Sequence, residues 1–141
     1  ALVAEVIERE APVYLELVVE RVARAHGKQK AGRIIHERVV SAIPQTCLRS
    51  SEGDRVVLFG TEADPNQLVA LRPSKSDWRS HRDTPLVELA SLALPLVRAN
   101  KADDEILAHY AKSFKLARLR QPTRVRFEQA IAIARRCKRT I

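Results

Sequence analysis

Residues 22–39 read Val22-Ala-Arg-Ala-His-Gly-Lys-Gln-Lys-Ala-Gly-Arg-Ile-Ile-His-Glu-Arg-Val39, and a worn second copy of this stretch lies near the other end of the chain. Sliding the sequence by 88 residues lays Val18 on Ile106, Ala23 on Ala111 and Arg24 on Lys112. After an inferred three-residue insertion the slide becomes 91, which puts Arg33-Ile34 on Arg124-Val125, Glu37 on Glu128 and Val40 on Ile131. Self-similarity at a long period says that one supersecondary unit was built twice, so it is read before any local signal.

Periodicity around that stretch supplies the elements. Leu2, Val3, Val6 and Ile7 recur at helical spacing, so residues 2–10 form a short amphipathic helix that Pro12 stops. Val13-Tyr14 is an extended connector. A second helix runs from Leu15 to His26, and Gly27 stands where a helix end favours a left-handed residue. A third runs from Ala31 to Ile43, with Ile35, Val39, Ala42 and Ile43 on its inner stripe, and Pro44 ends it. The period then changes. Thr46 to Arg49, a polar turn at Ser50 to Asp54, and Arg55 to Phe59 read as strand, turn, strand. Three short helices followed by a β-hairpin is the order of a winged-helix domain, with the third helix on DNA and the hairpin as wing.

Residues 60–84 have the Gly, Pro, Ser, Asn and Asp content of a linker, which is set at 61–84. Trp78 is the exception. It suits a role in packing that segment onto a helical unit, with base stacking beside Lys75, Arg79 and Arg82 as the alternative. The second unit restarts at Pro85 with a helix from Leu86 to Ala99, in which Pro95 is a kink point. Asp103-Asp104-Glu105 open the next helix, which reaches Phe114 or Leu116, and a last helix runs from Pro122 to Lys138. The expected fold is therefore mainly α: two winged-helix-like three-helix units in tandem, at 1–60 and 85–141, the first with a small β-hairpin wing and the second without one.

The composition narrows the function. Hydrophobic residues make up 45% of the 141, enough for a core, but aromatics are only 4%, so that core must be mostly aliphatic. The longest uncharged apolar stretch, Leu89 to Val97, is far shorter than the ~20 residues that span a bilayer. At the start of the chain Glu5 and Glu8 interrupt any signal-peptide pattern. There is no Met, which fits a segment excised from something longer. Cys47 and Cys137 suit small thiols in a reducing cytosol better than a structural disulfide.

Net charge is +8, and it is unevenly placed. Residues 1–20 carry −4, residues 21–49 carry +6, residues 50–110 carry −3 and residues 111–141 carry +9. Each positive block sits at the back of a repeat, the electrostatic footprint of a polyanion-binding face. In the first copy Lys28 and Lys30 occupy the turn before the third helix, Arg33 and His36 its first turns, and Arg38 the next. In the second, Lys115, Arg118 and Arg120 fill the turn, with Arg124 and Arg126 on the early helix. Such cations hold phosphates, and exposed residues at the helix start reach base edges. Arg33–Glu37 and Arg124–Glu128 are also i,i+4 pairs of an ordinary decorated helix, and Arg135 to Arg139 suit a helix C-terminus. The turn residues have no such local explanation.

Catalytic groups are scarce. Asp103, Asp104 and Glu105 are adjacent, point different ways and read as first-turn acids rather than a metal-dependent nuclease site. His26, His36, His81 and His109 have no ligand spacing with either cysteine, and no phosphate-binding glycine loop is present. The expectation is no enzyme, no cofactor and no metal.

Taken together, VARAHGKQKAGRIIHERV, the central FGTEADPNQLVALRPS and RSHRDTPLVELA, and LARLRQPTRVRFEQAI resemble one family over nearly the whole chain. It is the conserved C-terminal domain of unknown function of large bacterial superfamily-one DNA-helicase-related proteins. The resemblance implies a bacterial cytoplasmic module appended to a helicase, often alongside a nuclease-like domain; it supplies no activity for the segment. The helicase ATP-binding motifs are absent here. The leading expectation is an accessory module that binds DNA backbone for its parent protein. The alternative is a protein-interaction or dimerisation module docking on the helicase core, with the acids of the first helix meeting the basic back of another copy.

Overall fold

The computed structural model describes residues 2–30, 32–60 and 80–139, the last two by backbone only. Trp78, Lys75 and Arg79 lie outside the described residues. The chain is mainly helical, with a small antiparallel sheet. It divides into two compact units, 1–67 and 68–141. The division falls within the stretch read as a linker, but residues 80–84 belong structurally to the second unit.

In the first unit the order is α1 (Leu2–Glu10), β1 (Val13–Tyr14), α2 (Leu15–Ala25), α3 (Arg33–Ala42), β2 (Leu48–Glu52) and β3 (Arg55–Gly60). The connector at Val13-Tyr14 is thus a strand. It pairs antiparallel with β3, Val13 opposite Leu58 and Tyr14 opposite Val57, giving a three-stranded sheet in the order β1-β3-β2. Two residues show no alternation, so this strand exists only because β3 is there to pair with it. The hairpin turn is tighter than its polar run predicts. Ser50 to Glu52 extend the strand, and Gly53-Asp54 alone make the turn, with Glu52 opposite Arg55. Gly53 takes a φ of 63°, the left-handed position that a two-residue hairpin loop requires of its first central residue.

The core of this unit is mostly aliphatic, with Tyr14 and Phe59 as its buried aromatics. Ile7 from α1, Leu17, Val18 and Val22 from α2, Val39 from α3, and Val57 and Leu58 from β3 are all buried. The inner stripe of α3 is narrower than its periodicity suggests: Val39 and Ile43 are buried, Ile35 is half-buried and Ala42 is exposed. At the sheet's edge Tyr14 donates its hydroxyl proton to Glu52, and the Arg55 guanidinium lies 3.5 Å from the centre of the Tyr14 ring. Arg55 also donates to Glu16 at 2.7 Å, which ties the turn end of the hairpin to the start of α2.

In the second unit a 3-10 turn at His81–Asp83 precedes α4 (Leu86–Arg98), α5 (Asp103–Ser113) and α6 (Gln121–Arg139). Among its described residues there is no strand. The main packing is α4 against α6. Both helices bury alanines, Ala90 and Ala93 on one and Ala130 and Ala134 on the other, and small side chains let backbones approach closely. Tyr110 and Phe127 stack at 4.6 Å between ring centres, and the Tyr110 hydroxyl donates to the Leu89 carbonyl at 2.6 Å. That bond satisfies the only polar atom the ring brings into the core. Burial pushes the Tyr110 phenol well above its ordinary pKa, so it stays a donor.

No described helix is long and apolar enough to cross a membrane. Cys47 and Cys137 form no disulfide among the described residues, and Cys47 is buried.

Candidate nucleic-acid interface

Each unit ends a helix in the same way before its cationic segment. At the end of α2 the Lys28 amide donates to the Ala23 carbonyl and the Gly27 amide to the Arg24 carbonyl, both at 2.9 Å. At the end of α5 the Leu116 amide donates to Ala111 at 2.8 Å and the Lys115 amide to Lys112 at 3.2 Å. This paired closure demands a left-handed residue one place past the capping residue, which is His26 in α2 and Phe114 in α5. Gly27 fills it with φ 76° and Lys115 with φ 55°. The following helices open alike, with His36 donating to the Gly32 carbonyl at 3.0 Å and Arg124 to the Arg120 carbonyl at 2.9 Å.

All of these correspondences keep one offset, 88 residues: α2 and α5 share it at both ends, and α3 and α6 at their starts. The insertion inferred from the sequence is therefore not in the backbone. Arg33 and Arg124, matched by identity at 91, occupy positions three residues apart. The structural counterparts are Lys30 and Arg118, His36 and Arg124, and Arg38 and Arg126. Buried Val39 and Ile43 likewise correspond to buried Phe127 and Ile131. The misreading has a plain cause: Arg33, Glu37, Arg124 and Glu128 are all exposed, where identity imposes no packing register.

The ten cations singled out by sequence fall into three groups. Lys28, Lys30, His36, Lys115, Arg118 and Arg120 are exposed, and none makes an ion pair among the described residues. Arg38 is exposed as well, and with Lys28 it borders a cleft against α1 and α2. Arg33 and Arg124 are exposed but lie 3.8 Å from a carboxylate, Arg33 from Glu37 and Arg124 from Asp104. Asp104, and not Glu128, is the partner of Arg124. Arg126 is set apart. It is half-buried and donates to the backbone carbonyls of His81, at 3.2 Å, and of Thr84. Those bonds fasten the turn before α4 onto α6.

The acids at the start of α5 do not act as side-chain caps. The residue preceding the helix is Ala102, and no side chain caps the first turn. Asp103 pairs with Arg135, Asp104 lies near Arg124, and Glu105 is 3.9 Å from Lys101. Each acid thus faces a different cation, and no cluster of metal-binding side chains occurs among the described residues.

Sequence reasoning missed one feature. Ile34 on α3 is 63% exposed, the most of any large apolar residue described. It lies at the cleft bordered by Lys28 and Arg38, which is also lined by Leu2, Val22 and His26. The available signal was Ile34 itself, an isoleucine off the inner stripe of an otherwise charged helix.

The fold and the cation distribution define a class: a predominantly helical, two-unit chain whose units each pass from a left-handed helix stop through a basic turn into another helix. Residues 1–37 match the model of a family described as a protein of unknown function (DUF3320). The matched part takes in α1, β1, α2 and the first half of α3. No curated protein and no solved structure matches the chain.

Proposed function

We propose that this chain is an accessory nucleic-acid-binding module, made of two winged-helix-like units in tandem, that grips DNA backbone for a bacterial helicase-related parent. The first unit is read as complete, with β2–β3 as its wing, and the second as lacking one. Element order, the β1-β3-β2 strand order and the constant 88-residue correspondence support that reading of the fold. The helicase-related parent, its nuclease-like companion and a cytoplasmic setting rest on the family resemblance of the sequence. On this reading the module has no active site, cofactor or metal of its own.

One observation carries the proposal. Lys28 and Lys30 in one turn, and Lys115, Arg118 and Arg120 in the other, stay exposed and make no ion pair with a carboxylate among the described residues. Cations left in this state are ready to displace the counterions of a phosphate backbone. Arg33, His36, Arg38 and Arg124 flank them, whereas Arg126 contributes through the fold.

The test is a binding titration against duplex, forked and single-stranded DNA at two salt concentrations. If about five phosphates are neutralised, the log–log salt slope is roughly −4 to −5 on duplex. Replacing Lys28, Lys30, Arg118 and Arg120 together by Glu removes binding and leaves the helical circular-dichroism signal in place. A flat salt dependence, or no binding at low salt, overturns the proposal.

A second reading, a protein-interaction or dimerisation module, is favoured by one feature: the exposed Ile34 beside an apolar cleft.

A further inference from the structure

The cleft of the first unit has a volume of about 590 Å³ and lies between the start of α1, the end of α2 and the face of α3 that carries Ile34, Ile35, Arg38, Val39 and Ala42. Its floor is the sealed core: Val3, Val22 and Val39 are all buried. Its walls are Leu2, Ile35 and Ala42, which are partly or fully accessible, with Ile34 standing well out of the surface. The remaining lining residues are His26, Lys28 and Arg38. Among the described residues no carboxylate lines it; Glu37 lies on the adjoining surface beside Ile34 and Arg38 and is paired with Arg33.

We infer that this cleft receives an amphipathic helix from a different protein, whose apolar stripe covers Ile34 and whose acidic flank meets Lys28 and Arg38. The inference deepens the second reading above and rests on it. It is independent of DNA binding, because its assay contains no nucleic acid.

Three considerations select this occupant. A polynucleotide would satisfy the cations but leave Ile34, Leu2 and Ile35 in water, whereas a helix laid in a groove covers apolar walls through residues spaced i, i+3, i+4 and i+7. Charge complementarity then sets the character of its edges: with Lys28 and Arg38 at the border and no acid in the lining among the described residues, an acidic flank is attracted and a basic one repelled. Finally, a second copy of this chain is a poor donor. Its acidic helix α1 has Val3 and Ile7 buried within its own unit, so it has no apolar stripe to offer without unfolding.

The experiment uses the full chain and a fluorescein-labelled synthetic helical peptide, with leucines at i, i+3, i+4 and i+7 and glutamates on both flanks. Fluorescence anisotropy is read at physiological salt. Two control peptides are used: a scramble without an apolar face, and a version with lysine for every glutamate. The acidic amphipathic peptide binds saturably, and both controls bind at least on the order of tenfold more weakly. Ile34→Glu weakens binding by about tenfold or more, the usual outcome when a buried aliphatic anchor is lost.

Val40→Glu serves as the control for general surface stickiness, since Val40 is 41% exposed on the same helix but outside the cleft; it leaves binding unchanged. Lys28→Glu, at an exposed position, gives the same loss as Ile34→Glu by removing the charge instead of the apolar wall. Reversing Arg118 and Arg120 has no effect, which separates this site from the proposed DNA contacts. The inference is overturned if the scramble binds equally or if Val40→Glu and Ile34→Glu act alike. It is also overturned if Ile34→Glu changes only the mass measured by light scattering, because a second copy would then be the occupant.

Discussion

Gly27 and Lys115 occupy the same left-handed backbone position, 88 residues apart, and each closes its helix with the same pair of amide-to-carbonyl bonds. Glycine takes that position without strain, whereas a residue with a Cβ pays on the order of 1 kcal/mol there. Lys115→Gly is therefore expected to raise stability by roughly 0.5–1 kcal/mol, and Gly27→Ala to lower it by about 1 kcal/mol. Urea denaturation of the two variants checks both signs. If Lys115 contacts phosphate, Lys115→Gly also weakens DNA binding while stabilising the fold, and that opposition marks a residue kept for charge.

Arg126 and Arg124 lie two residues apart on α6 and should behave differently. Arg126 donates to two backbone carbonyls and is half-buried, so Arg126→Ala is expected to cost about 1.5–3 kcal/mol, the range for hydrogen bonds from a charged group. Arg124→Ala, at an exposed position, stays within about 0.5 kcal/mol of the parent. Thermal melts of the pair at one pH decide the matter. Equal melting temperatures would refute a structural role for Arg126.

Asp104 offers a gain-of-function test. Its side chain is 92% exposed and lies 3.8 Å from the Arg124 guanidinium, a pair whose contribution to stability is small. Asp104→Asn should leave the melting temperature nearly unchanged. On the proposed function it also removes a negative charge beside the interface, so DNA affinity rises by a few-fold at low salt and the gain disappears as salt is added. Unchanged affinity at low salt would place Arg124 outside the interface.

His81 gives the second unit a pH dependence. Its ring meets Phe114 and Phe127 edge-on at 5.9 and 5.5 Å, and its Nδ1 is buried with no hydrogen-bond partner among the described residues. Burial lowers its pKa below 6.5, helped by the nearby Arg82 and Arg126 and opposed by Asp83. The fold thus prefers the neutral ring, and the unfolded chain binds the proton more readily. Stability from this group is fully present above pH 6.5 and falls as pH drops through that value toward the lower folded pKa. Comparing melting temperatures at pH 7.5 and 5, the parent should lose more than a His81→Gln variant does.

Much of the fold was legible locally. Helical spacing in LVAEVIERE, a proline after it, and Gly27 after LELVVERVARA fix α1 and α2 to within a residue. The shift from period 3.6 to period 2 near Cys47 announced the hairpin. What escaped notice was whatever depended on distant partners. Val13-Tyr14 is a strand because β3 lies alongside it, and Asp104 faces Arg124 because two helices cross there. The register between the two units was misjudged by three residues for a related reason: matching exposed charges drew the alignment, whereas buried Val39 and Phe127, which packing constrains, hold the offset at 88.

The sequence by itself determined where the helices start and stop and where positive charge accumulates, because backbone dihedrals, side-chain spacing and formal charge are properties of neighbouring residues. Tertiary structure decided what each cation does. Arg126 is consumed by two carbonyls, Arg124 faces Asp104 of α5 and not its i,i+4 neighbour Glu128, and Lys28, Lys30, Arg118 and Arg120 are left to solvent. An arginine's role depends on which acceptors come within about 3 Å of it, and only the folded chain brings residues 45 positions apart to that distance.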